Sequence, residues 1–352
     1  MFGLDGPDAT AADSLGLIAG MAASVAAFDE ARAAAEGVEL VYPPEEIRDV
    51  AICGMGGSAI AADLVVGAYR ERLRVPVTVV RDYYLPGWIG ENTLVILSSY
   101  SGGTEETLTC ASQATERNSL CVAVTSGGKL GTFYAAEGVP VVPVVPGLQP
   151  RAAILRMLVP LIVLFDRLGV LPSLTSDLEE ARATIATSVA TLGPEVPESD
   201  NPAKQLARSL QASIPLVWGA ELTAPVAQRW KGQFNENAKV PAYSSTVPEL
   251  DHNEIVGWTS AQRYGRFSAV FLDDSDDTPQ VSRRIALTRE IVEASASGTF
   301  VVPSRGQTTV ERAFSLVLLG DLVSVYLAAL NDEDPGTIHA IDRLKAGLRD
   351  GE

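Results

Sequence analysis

Two short segments of this chain carry residues of the kind that grip a small anion. Cys53-Gly54-Met55-Gly56-Gly57-Ser58-Ala59 and Ser98-Ser99-Tyr100-Ser101-Gly102-Gly103-Thr104-Glu105-Glu106 each follow a short apolar run and open onto a helical stretch. Glycines let the backbone approach an anion closely, a helix N-terminus offers N–H groups and partial positive charge, and Ser and Thr hydroxyls add donors. Together they describe a phosphate cradle that needs no metal. The first segment is not a dinucleotide fingerprint, since Ala59 and Ile60 stand where the third glycine belongs, and no Gly-Lys-Ser or Gly-Lys-Thr phosphate loop is present. Taken alone, Ser99, Ser101 and Thr104 also fit a plainer role as caps of the helix that follows, with Glu105 and Glu106 favoured by its dipole.

Groups that could move protons lie in the second half. There are only two histidines. One, His252, sits among Glu249, Asp251, Asn253 and Glu254, and the segment Gln233-Phe234-Asn235-Glu236-Asn237-Ala238-Lys239 closes an expected helix with a carboxylate between two amides. A carboxylate and a histidine are the usual partners in acid–base chemistry near neutral pH. Without further information both also fit ordinary surface positions. Lys345 falls on an expected C-terminal helix over 338–348, where a lysine is normally solvated.

The elements that would position these residues follow from periodicity. An Ala-rich amphipathic helix is expected over 14–36. Near-continuous Val/Ile/Leu runs at 50–54, 77–80, 94–98, 120–125 and 139–145 then alternate with helical stretches such as 59–73 and 105–116, the pattern of a parallel sheet buried on both faces. After the prolines of 143–150 comes a long helical region at 151–168, then a stretch between 171 and 202 whose polar end reads as a surface connection. The alternation resumes with strands at 215–219, 268–273 and 299–303 and helices at 225–239, 281–296 and 309–330. The expected fold is α/β, in two doubly wound halves divided as 1–152 and 153–352.

Bulk properties narrow the function. The 352 residues hold 27 Lys and Arg against 44 Asp and Glu, a formal charge of −17, which argues against nucleic acid and anionic membranes as partners. It does not argue against one small phosphate, because a cradle of amides, hydroxyls and helix ends needs no excess of cations. Cys53, Cys110 and Cys121 lack metal-site or disulfide-framework spacing and read as buried, reduced residues of a cytoplasmic protein. The N-terminus carries acids where an export signal needs bases. The most apolar stretch, 157–165, is far short of the roughly 20 residues of a membrane span.

The loops resemble the phosphate loops of sugar isomerase (SIS) domains. With Gln149-Pro150-Arg151-Ala152-Ala153, Asn235-Glu236-Asn237-Ala238-Lys239, Glu249-Leu250-Asp251-His252-Asn253-Glu254 and Ile341-Asp342-Arg343-Leu344-Lys345 in the same order, the chain from about residue 14 onward is similar to the bifunctional phosphoglucose/phosphomannose isomerases of archaea and bacteria. The resemblance implies two SIS-type subdomains and reversible conversion of glucose 6-phosphate, and mannose 6-phosphate, to fructose 6-phosphate through a cis-enediol, with no metal and no cofactor. It implies that Gly57, Ser58, Ser99, Ser101 and Thr104 bind the 6-phosphate and that Glu236 carries the proton between C1 and C2. His252, donated across a homodimer interface, would help open the ring, Lys345 would contact the ring oxygen region, and Arg151 would stabilise the enediol. Gly103 stands where the family commonly has Asn or Asp, and Gly336-Thr337 where Thr-Pro is frequent. The alternative reading is a sugar-phosphate sensor without catalysis.

Overall fold

The structure, a computed structural model, describes residues 3–6 and 8–349. It forms two compact units, each assembled from separated segments: Ala23–Ala186 with Gly306–Ala313, and Met1–Ala22 with Thr187–Arg305 and Phe314–Glu352. Strands fall on either side of residue 152 as five and four, but the compact units divide the chain elsewhere. The physical reason is the helix Ile154–Arg167, which packs against helices Ser24–Glu36 and Gly56–Tyr69 of the first-sheet unit. That helix is apolar almost all round, and eleven of its side chains are buried.

The first sheet comprises β1 (Asp49–Cys53), β2 (Val77–Val80), β3 (Thr93–Ser99), β4 (Leu120–Thr125) and β5 (Val141–Pro143), in the order β2-β1-β3-β4-β5 with every pairing parallel. In register, Ile52 lies between Val79 and Ile96. All seven residues of β3 are buried, as a central strand covered on both faces requires. One face sends Ala51, Cys53, Val95, Leu97, Cys121 and Ala123 into a core shared with helix residues Cys110, Ala114, Leu130 and Tyr134. The period of two in those numbers is the pleat itself.

The second sheet comprises β6 (Ile214–Gly219), β7 (Tyr243–Thr246), β8 (Phe267–Asp273) and β9 (Gly298–Pro303), ordered β7-β6-β8-β9 and again all parallel. Its core gathers Trp218, Leu250, Trp258, Phe271 and Ile285. Helices Thr223–Glu236 and Pro279–Glu293 follow β6 and β8, and Thr309–Leu330 follows β9. The last is long and apolar enough to cross a membrane by length and composition, yet 83% of its apolar window is buried inside the fold.

Several expectations are corrected. The helix over 14–36 is two, Leu17–Ala22 and Ser24–Glu36, broken at Ala23, where the units divide. The helix expected from 151 begins only at Ile154, because Pro150–Ala152 forms a separate 3-10 turn. The stretch between 171 and 202 holds the helix Thr175–Leu192, and the strand over 139–145 shortens to β5. Strand β7 was not expected at all, since Tyr243-Ser244-Ser245-Thr246 has no apolar run. Its residues are exposed or half-buried at a sheet edge.

Candidate functional site

In a doubly wound sheet the crevice opens where consecutive crossovers turn in opposite directions, beyond the carboxyl ends of the strands. The first sheet reverses between β1 and β3. Those two strands lead directly into the two segments singled out above.

After β1 the chain turns through Gly54 and Met55 into the helix Gly56–Tyr69, whose cap position, Met55, offers no side-chain acceptor. The amides of Ser58 and Ala59 return to the Met55 carbonyl at 3.1 and 3.3 Å. Those of Gly56 and Gly57 stand at the first two helical positions, where no preceding turn supplies an acceptor. A Cβ on Gly57 would lie 2.7 Å from the Pro150 carbonyl oxygen, so only glycine lets this helix end approach the turn that carries Arg151. Arg151 is itself 3% exposed, a buried cation beside the cradle.

The turn after β3 is held from within. Ser99 Oγ lies 2.9 Å from Thr104 Oγ1 and accepts the Gly102 amide at 3.1 Å, while Ser101 Oγ accepts the Gly103 amide at 3.3 Å. Thr104 occupies the cap position of helix Glu105–Glu116, but its hydroxyl makes no capping bond to that helix. The plain capping role is thus not the one its side chain takes, and the helix N-terminus stays available for an anion. Gly102, at φ +64°, touches the next turn so closely that a Cβ would collide with the Gly127 carbonyl.

Three of these parts are tied together. Ser58 Oγ accepts the Tyr100 amide at 3.2 Å, joining the two turns. The Tyr100 hydroxyl donates to the Val145 carbonyl at 3.1 Å and accepts the Leu148 amide at 2.9 Å, anchoring the segment that leads to Arg151. Ser58, Ser99 and Thr104 are therefore linked through Tyr100 and Gly102 in the two adjoining turns, and Gly57 packs against the turn that carries Arg151. Tyr100 lies within the motif, yet its sequence position alone signals no role. Its part depends on contacts 45 residues away, which no local pattern signals. Cys53, at the end of β1, is held well above the ordinary thiol range by its hydrogen bond with Cys110 and by burial, so it stays a neutral core thiol.

Glu236, His252 and Lys345 lie in the second-sheet unit, on three different elements. Glu236 ends the helix Thr223–Glu236 and is half-buried. That helix is fastened to Thr309–Leu330 by a buried network in which Arg229 donates to Asp321 at 2.7 Å and Gln233 donates to the same carboxylate at 3.0 Å. Burial raises the Asp321 carboxyl, while the Arg229 charge and the two hydrogen bonds pull against that shift. The amides flanking Glu236 are structural: Asn237 donates to Ser324 Oγ at 2.9 Å and Asn235 accepts the Ala242 amide at 2.9 Å.

His252 ends the 3-10 turn Glu249–His252 and is exposed. Its acidic neighbours are all engaged: Asp251 accepts from Thr288 at 2.7 Å, Glu249 from Asn253 at 3.0 Å, and Glu254 from Trp218 at 3.1 Å and from Ser245. Lys345 is exposed on helix His339–Arg349. Among the described residues no hydrogen bond or ion pair reaches the side chain of His252 or Lys345. The two turns after β1 and β3 thus lie side by side, while His252 and Lys345 stand on the surface. Among the described residues no group of three or more His, Cys, Asp or Glu side chains could hold a metal ion.

Doubly wound parallel sheets whose first switch point carries Gly- and Ser/Thr-rich turns define an SIS-type phosphosugar fold. Residues 199–348 match the family model described as the bacterial phospho-glucose isomerase C-terminal SIS domain. A bifunctional phosphoglucose/phosphomannose isomerase of Caldicellulosiruptor bescii is 41% identical over 86% of this chain and 90% of its own length. The Aquifex aeolicus protein of the same name is 34% identical over 86% and 91%. A glucose-6-phosphate isomerase-like protein from Thermus thermophilus shares the fold with a TM-score of 0.65 at 23% identity, covering 96% of this chain and 99% of that one. The chain belongs to the bifunctional phosphoglucose/phosphomannose isomerase family.

Proposed function

We propose that this protein interconverts glucose 6-phosphate and mannose 6-phosphate with fructose 6-phosphate. The observation that carries this reading is the cradle at the β1/β3 switch point, where two helix N-termini are left uncapped by side chains and surrounded by hydroxyls. The names of its relatives supply the chemistry. In the open-chain aldose, Glu236 takes the proton from C2 as the C1=C2 bond of the enediol forms and O1 is protonated. It returns that proton to C1 as O2 becomes the ketone oxygen, and the proton O2 gives up to solvent balances the one O1 took from solvent. Both epimers give the same enediol from opposite faces, so one base serves both when the C1–C2 end turns about the C2–C3 bond. Arg151, buried beside the cradle, offsets the charge developing on the enediol oxygens. Neither a metal nor a cofactor enters these steps.

Ring opening needs a group that delivers a proton to the ring oxygen, and the partner subunit's His252 fits that role in a homodimer, with Lys345 near the ring oxygen. The exposure of both residues supports it. The proposed setting is the cytoplasm. A coupled assay of the purified protein with each aldose phosphate tests the reading, with Glu236→Gln beside it. The expected result is fructose 6-phosphate from both substrates and a fall in kcat of about 10³-fold in the variant, the range of a lost acid–base group. Binding without turnover by the wild type would favour a sensor instead.

A further inference from the structure

Lys239 has a backbone that the helix end alone does not explain. It adopts φ +55°, the left-handed conformation that closes many helices and that glycine normally fills, because a Cβ there is strained. Its side chain turns back over the helix end. The ammonium donates to the carbonyl of Glu236 at 2.9 Å, of Asn237 at 3.3 Å and of Asp334 at 2.6 Å. The first two are terminal carbonyls of the helix, where a cation is favoured by the dipole. The third belongs to a segment 95 residues away in the sequence.

That segment is itself ordered around Asp334. Its carboxylate accepts the Gly336 amide at 2.8 Å and the Ser14 amide at 3.3 Å, and its carbonyl also accepts from Thr337 Oγ1 at 3.2 Å. Burial works against the Asp334 carboxylate, but the bonds from Ser14 and Gly336 and the Lys239 charge keep its pKa below the ordinary value. Two residues beyond Thr337 begins the helix His339–Arg349, which carries Lys345. One ammonium therefore bonds both the backbone of Glu236 and the root of the element that bears Lys345.

We propose that Lys239 is a positioning residue: its side chain fixes the peptide at Glu236 and couples it to the 334–337 segment, so that base and C-terminal helix hold one relative placement. The inference rests on the isomerase reading for its kinetic consequence alone, since the coupling itself is structural. A helix cap without this role would be served at least as well by glycine. The observed lysine carries strain and then offsets it through three carbonyl bonds, two of them local and one distant.

Lys239→Gly separates the two possibilities, because it relieves the backbone and removes the bridge. The full-length variant is expected to lose about tenfold or more in kcat with KM within about threefold of wild type, as a slightly misplaced base would produce. Amide hydrogen exchange at 336–345 is expected to accelerate at least about tenfold while β1 and β3 keep their protection. Lys239→Arg, which restores donors to the same carbonyls, should recover most of both losses. Should the glycine variant fail to fold, Lys239→Gln replaces it in both measurements. Unchanged exchange in the bridge-less variant overturns the proposal whether or not the protein isomerises sugars, and unchanged kcat in an active enzyme does the same. An inactive wild type with the exchange change intact leaves the coupling standing and removes only the isomerase reading.

Discussion

The two sheets share a topology and differ in what their switch points present. Strands β6, β7, β8 and β9 occupy the places of β1, β2, β3 and β4, so the turns after β6 and β8 correspond to the cradle turns after β1 and β3. After β1 and β3 the chain offers glycines and hydroxyls, at helix ends that, like those after β6 and β8, carry no side-chain cap. After β6 it offers Glu221 and a buried Thr223, whose hydroxyl accepts the Ala220 amide at 2.9 Å and lies 3.2 Å from the Leu272 carbonyl. After β8 it offers Asp274, Asp276 and Asp277. Burial, with Asp274, Glu221 and Asp273 nearby, pushes the Asp277 carboxyl up to about 7, against one backbone hydrogen bond that lowers it. A crevice that already strains to hold its own carboxylates repels a phosphate. Topology therefore supplies two switch points, and their loop chemistry suits only the first to the proposed anion. In the second unit Glu236 ends the helix that Thr223 begins.

The comparison breaks most visibly at Gly57. Gly57→Ala puts a methyl group against the Pro150 carbonyl and should raise KM for glucose 6-phosphate about 100-fold, the loss of two charge-assisted hydrogen bonds. A variant that kept wild-type KM would show that the phosphate sits elsewhere. Ser101→Ala removes one exposed hydroxyl and should raise KM about tenfold, measured beside Thr223→Ala, a hydroxyl lost at a switch-point turn of the second sheet. The latter should leave KM within about threefold and lower Tm instead, because a buried polar contact is lost. Equal effects on KM from the two would erase the proposed asymmetry.

The smallest effect is a pH dependence of stability. A carboxyl raised to about 7 in the folded state stays protonated where the unfolded chain has already ionised, so stability falls as pH rises from about 4 to 7 and then levels. Asp277→Asn should therefore be more stable than wild type at pH 8, by about 2 °C in Tm given the half-exposed site, and no more stable near pH 4. Thermal melts at both values check it. A gain of equal size at both would point to packing rather than charge.

What the sequence revealed follows the same division. The cradle was legible because glycine, serine and threonine against a Val/Ile/Leu background mark strand-to-helix turns within ten residues of chain. Parallel order and burial of β1 and β3 followed from the same runs. What stayed hidden was long-range: the Tyr100 anchor, the Arg229–Asp321 pair 92 residues apart, and the Lys239–Asp334 bridge. Each joins common residue types whose meaning arises only when distant segments meet. Strand β7 was hidden for another reason, since an edge strand with exposed faces needs no apolar run.

In the proposed mechanism the first sheet holds the phosphate while Glu236 moves the proton. Deuterium incorporation at C2 of glucose 6-phosphate in heavy water tests it most directly, with wild type and Glu236→Gln at equal substrate occupancy. Wild type is expected to incorporate label, and the variant to lose the exchange by about 10³-fold while still binding the sugar phosphate. Exchange in the variant at the wild-type rate would contradict it.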